Sequence, residues 1–66
     1  MSQSSIKHAK LVVSSITDVQ SKIMTMIDHA RINIKDAELI TKLTSLNEQA
    51  GNIAKHINSK VDQLTG

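Results

Sequence analysis

The chain has 66 residues and a net charge of +2, with two glycines and no cysteine, aromatic residue or proline. A chain this short buries only about 60% of its unfolded surface; without cysteine it has neither disulfides nor thiolate metal sites to reinforce it, which leaves association with another chain. The missing aromatics remove stacking platforms for bases and most ordinary interface anchors, the small charge does not by itself call for a polyanionic partner, and the longest apolar run, Leu11, Val12 and Val13, falls far short of the roughly 18 residues of a membrane span.

The first residues, MSQSSIKHAK, lack the long apolar stretch of a secretory signal. A cytoplasmic location is the default expectation, with signal-independent export left open. From Ile6 onward a seven-residue frame holds. With Ile6 as position a, the residues Ala9, Val13, Ile16, Gln20, Ile23, Ile27 and Ala30 fall successively on d, a, d, a, d, a and d. Gln20 is the one polar member. Val12, Val19 and Met26 all fall on g, and positions b and c hold no apolar residue. This is an amphipathic helix over about residues 4–31, its apolar stripe broader than a two-stranded seam needs.

The segment ARINIKDAELI, residues 30–40, decides the architecture. The first frame predicts an a position at residue 41, but the apolar pattern beyond it places a at 43. A slip of two residues rotates the stripe by about 200° on a continuous helix, and it matches neither the three- nor the four-residue insertion that coiled coils absorb. A straight rod would carry its two stripes on nearly opposite sides, whereas a turn lets them meet. The local chemistry agrees. Arg31 suits the negative end of a helix dipole, Asn33 can take left-handed geometry or cap the next helix, and Asp36 and Glu38 suit a first turn. The turn is placed at about residues 31–35.

The second helix is expected over about residues 35–64. Leu39, Leu43, Leu46, Ala50, Ile53, Ile57 and Leu64 fall on d, a, d, a, d, a and a, with Lys60 on the remaining d and its neighbour Val61 substituting for it. Ile40, Ala54 and Val61 widen the stripe on e. Gly51 falls on the outer face of this frame, where it costs about 1 kcal/mol relative to alanine, and the helix is read as continuous through it.

The expected fold is therefore all-α: one antiparallel helical hairpin spanning residues 1–66, dimerising into a four-helix bundle of coiled-coil type. A hairpin uses one a/d seam per helix, so the flanks at Val12, Val19, Met26, Ile40 and Val61 would stay partly wet unless a second hairpin or another helical protein covered them. The interface residues expected on this basis are Val12, Ile16, Val19, Ile23, Met26 and Ile27 from the first helix, and Leu39, Ile40, Leu43, Leu46, Ile53, Ile57 and Val61 from the second. Gln20, inside the stripe, is of the kind that sets register, or simply reaches water at the bundle edge.

Other chemistry finds little support in the sequence. His8 and His29 share position c but stand about 31 Å apart along a helix, and His56 has no carboxylate at helical spacing, so no metal or cofactor site is expected. Acids are scattered, a thin bundle has little room for a substrate pocket, and phosphate-loop, nucleophile-elbow and metal motifs are missing; no enzymatic activity and no small-molecule substrate are expected. Asp18 with Lys22, and Glu38 with Lys42, have the spacing of surface ion pairs that support helices. Lys7, Lys10 and Lys22 are the candidate nucleic-acid contacts, since dimers of helical hairpins can serve as an RNA-binding scaffold, but the basic set is thin and interrupted by acids. The polar faces also lack the dense Lys/Arg band of a membrane-surface helix. The expected function is that of a small non-enzymatic interaction protein acting by self-association or on partner helices. The composition also suits an adaptor, small chaperone or assembly subunit of a secretion system or phage particle.

Overall fold

A computed structural model describes residues 3–65, the side chains of residues 64 and 65 lying outside that description; the expectation for Leu64 therefore falls outside the described side chains. Two helices, α1 (Gln3–His29) and α2 (Ala37–Thr65), lie side by side as a hairpin. Both are free of proline, and their apolar residues recur at three- and four-residue spacing, the pattern that gives each helix one face to bury. The hairpin is thin, about 47 × 15 × 11 Å, with a radius of gyration of 15.1 Å. A compact domain of this length would have about 11 Å.

The reversal occupies residues 30–36, around the expected 31–35. After His29 the backbone widens into a π-helical segment, Ala30–Ile34, which carries Ala30 fully into the seam. The segment ends at Lys35, whose φ of 57° and ψ of 41° are left-handed, and whose N–H donates to the Ala30 carbonyl at 2.6 Å. The chain then enters α2 through Asp36. Its carboxylate accepts from the backbone N–H groups of Glu38 (3.0 Å) and Leu39 (3.1 Å), satisfying two donors that a helix start leaves unpaired. Asn33 thus takes neither role expected of it: the left-handed position belongs to Lys35 and the cap to Asp36. The reason is register. The apolar frame of α1 runs to Ala30, and the wider π turn needs the residues up to Ile34 to close its i to i−5 hydrogen bonding.

On α1 the seam is the a/d line. Ile6, Ala9, Val13, Ile16 and Gln20 are half-buried, and Ile23, Ile27 and Ala30 are buried, Ile23 to 2% exposure. On α2 the seam is not the a/d line. Its half-buried residues are Ile40, Leu43, Asn47, Ala50, Ala54, Ile57 and Val61, again spaced by three and four, with Leu39 and Gly51 at its margins. In the sequence frame this is the a/e line. Leu46 and Ile53, on the a/d line and expected in a core shared with a second hairpin, stand 49% and 54% exposed in the single hairpin.

Polar chemistry accounts for the rotation. Gln20 sits in the seam of α1, and its Nε2 donates to the Asn47 carbonyl at 3.4 Å. Asn47 Nδ2 lies 3.6 Å from Met24 Sδ, as a donor to the thioether. A burial-prone amide is costly unless paired, and the a/e line brings it Asn47 and the small residues Ala50 and Gly51. Gly51 is correspondingly not on the outer face: a Cβ added there would come within 3.1 Å of Gln20 Nε2. Helix α2 runs through Gly51 without a break.

Candidate interaction surface

Because each helix has more apolar lines than the seam consumes, the surplus is displayed. On α1 it is the g line, Val12, Val19 and Met26, each about half exposed. On α2 it is the d line, chiefly Leu46 and Ile53. The two lines flank the seam on the same side of the hairpin. Between them runs an open apolar groove of about 430 Å³, lined by Leu11, Val12, Ile16, Val19, Ala50 and Ile53, with His8 and Ser15 at its edge. His8 is held there by a 2.7 Å hydrogen bond from Nδ1 to the Ser4 carbonyl.

The opposite side of the hairpin is polar. Gln20, Asn47, Glu48, Gly51, Asn52 and Lys55 line a shallow depression there. Asn47 Oδ1 is buried without a hydrogen-bond partner, the residual cost of placing an amide in a narrow seam. At the tip, Ile32 and Ile34 of the π segment are 67% and 60% exposed.

Of the residues expected to form one shared core, the structure divides two groups. Ile16, Ile23, Ile27, Ile40, Leu43, Ile57 and Val61 serve the seam within the hairpin, with Leu39 half-buried beside it. Val12, Val19, Met26, Leu46 and Ile53 form the open face instead. Sequence reasoning missed Asn47 and Gly51 as seam residues. The signal was present: Asn47 continues the three-and-four spacing of Leu43, Ala50 and Ala54, although its polarity hides it from a count of apolar positions. It also missed Leu11 and Ile32, which lie off the a, d and g lines of the first frame, and Ile34, which falls on a just beyond the frame's last counted residue.

The three lysines considered for nucleic acid are not gathered into one patch. Lys7 and Lys10 line a shallow depression with Gln3, Ile6 and Leu11 near the start of α1, while Lys22 lies about 18 Å further along the helix. Among the described residues no group of three or more His, Asp or Glu could hold a metal ion, and no helix is long and apolar enough to cross a membrane.

No protein-family model, curated protein or solved structure matches the chain. The functional reading therefore rests on the geometry of the open face.

Proposed function

We propose that the chain is a non-enzymatic helical interaction module that packs its open apolar face on the helices of a second molecule, closing a four-helix bundle. The supporting observation is surface area. The hairpin has an accessible surface of 4998 Å², whereas a folded monomer of 7.2 kDa is expected to have about 4100 Å². The surplus of about 900 Å² is close to the roughly 800 Å² that each partner gives up in a standard stable interface. Val12, Val19, Met26, Leu46 and Ile53 each add exposed apolar area to one face. Each is already about half covered, so completing its burial contributes roughly 1 kcal/mol, half the figure for a fully exposed side chain.

A single hairpin has little else to hold it. Among the described residues Ile23, Ile27 and Ala30 are the buried apolar ones, a small core for any domain. A second hairpin laid across the groove would give α1 and α2 the packing of a four-helix bundle. An adaptor or an assembly subunit would use the face in the same way.

The test is association with and without the face. Sedimentation of the chain alone, and of the chain with an amphipathic helical peptide bearing a leucine stripe, should show a species heavier than a monomer in at least one case. The double variant Val19→Asp, Leu46→Asp should abolish that species while circular dichroism still reports a helical chain. A wild-type chain that is a folded monomer and ignores the peptide, or a variant that associates as well as the wild type, would overturn the reading.

A further inference from the structure

The charges bordering the open face are mostly cationic, and they bear on which helices it accepts. On a helix, residues three and four apart are surface neighbours. Lys22 follows Val19 by three positions. Lys42 precedes Leu46 by four, and Lys60 follows Ile53 by seven, two turns along the same line. All three are exposed. His8 edges the groove, His29 follows Met26 by three and His56 follows Ile53 by three. The border therefore holds three lysines and all three histidines.

Most of the carboxylates are elsewhere. Of the six acids in the chain, Glu38 reaches the border and is engaged with Lys42 at 3.4 Å, and Asp18 follows Ser15 at the groove's edge by three positions. Asp36 caps α2. Glu48 lines the depressions of the other side. Asp28 and Asp62 each follow a seam residue by one position and fall on the flank away from the groove.

In a helical bundle the positions flanking one apolar stripe face the flanks of the other, and their charges choose partner and orientation. A second copy of this chain would bring lysine borders together and offer only Glu38, already paired with Lys42, and Asp18, one turn from its own Lys22. We propose that the preferred partner is instead a different helical segment, amphipathic and with glutamates or aspartates bordering its apolar stripe. This rests on the reading of the open face as a helix-docking surface and names the partner chemistry of that surface. The apolar stripe supplies the attraction common to any helical partner, and the border decides among them.

Three labelled amphipathic peptides sharing one leucine stripe test it, with the flanking positions all Glu, all Gln or all Lys. Fluorescence anisotropy with the full chain should rank them Glu, then Gln, then Lys. About tenfold should separate the first from the last at low salt, for three border pairs of the ordinary exposed kind, and the spread should collapse in high salt. The variant Lys22→Glu, Lys42→Glu, Lys60→Glu should reverse the order. Equal affinity for all three peptides, or a dimer of the chain alone that the Glu peptide cannot displace, would overturn the proposal while leaving the docking face intact. Binding to none of the three would remove the face itself.

Discussion

The two helices are nearly matched, 27 and 29 residues long, with apolar arcs of similar breadth, yet they present those arcs differently. In α1 the line facing its neighbour is the one richest in large apolar residues. In α2 the d residues Leu46 and Ile53 are turned toward the open side, and a line containing Asn47, Ala50 and Ala54 beside Ile40, Leu43, Ile57 and Val61 faces inward. Where an apolar arc is wider than a seam, counting hydrophobic residues leaves two rotations open. Shape and polar pairing then choose. Ile16 shares the wall of the groove with the small Ala50, and Gln20 finds the Asn47 carbonyl. Turning Leu46 and Ile53 inward would leave that amide among hydrocarbon without a partner, a cost of about 1–3 kcal/mol.

The division between seam and open face makes the largest prediction. Ile23→Ala should cost about 2–5 kcal/mol of stability, as for a buried isoleucine. Ile53→Ala, at a half-exposed position, should cost less than about 1 kcal/mol in the isolated hairpin. Thermal and urea unfolding followed by circular dichroism measure both. If Ile23→Ala does not fold, Ile23→Val and Ile53→Val give the same contrast at a smaller scale, about 0.5–1.5 kcal/mol for the buried site. Equal losses at the two positions would erase the distinction.

The hairpin itself was legible in the sequence because phase is a global property. A two-residue slip between frames cannot be hidden by any single side chain, so the reversal followed from the apolar positions alone. The seam of α1 was legible for the same reason, since its a/d line had no rival as rich in large residues. The seam of α2 was not, because Asn47 and Gly51 look like surface residues until Gln20 is placed opposite them. The details of the turn were hidden too. Nothing local marks Lys35 as the left-handed residue in preference to Asn33; the choice depends on Ala30 packing fully into the seam, and on the π widening that follows. The open face was half legible: the surplus at Val12, Val19 and Met26 could be read directly, while its α2 half was assigned to the core.

The helices also differ in how they begin, which gives a prediction of intermediate size. The first turn of α1 carries no acidic residue, whereas α2 opens on the Asp36 carboxylate and has Glu38 in its first turn. Asp36→Ala should lower stability by about 1 kcal/mol through loss of the cap. Asn33→Ala should change it by no more than about 0.5 kcal/mol, as for an ordinary surface site. At the preceding position Lys35→Gly should raise stability by up to about 1 kcal/mol, since glycine takes a φ of 57° without the steric cost borne by lysine. Urea unfolding of the three variants decides whether the cap and the left-handed residue sit where the structure places them. A larger loss at Asn33 than at Asp36 would move the turn back toward residue 33.

The smallest effect gives the sharpest comparison, because it tests the rotation of α2 directly. Gly51→Ala gains helix propensity of about 1 kcal/mol, but the added methyl meets Gln20 Nε2 at 3.1 Å. That amide is the far end of a flexible side chain and can move aside, at the expense of its long 3.4 Å hydrogen bond to the Asn47 carbonyl, which contributes at most about 0.5 kcal/mol. The net gain in the wild-type chain should therefore be about 0.5 kcal/mol. In a Gln20→Ala background nothing opposes the methyl, and the gain should approach the full 1 kcal/mol or so. The difference, a coupling of about 0.5 kcal/mol, is measurable by a double-mutant cycle in urea. A coupling indistinguishable from zero would mean that Gly51 faces solvent, and with it that α2 turns its Leu46–Ile53 line toward α1 and removes the α2 half of the open face.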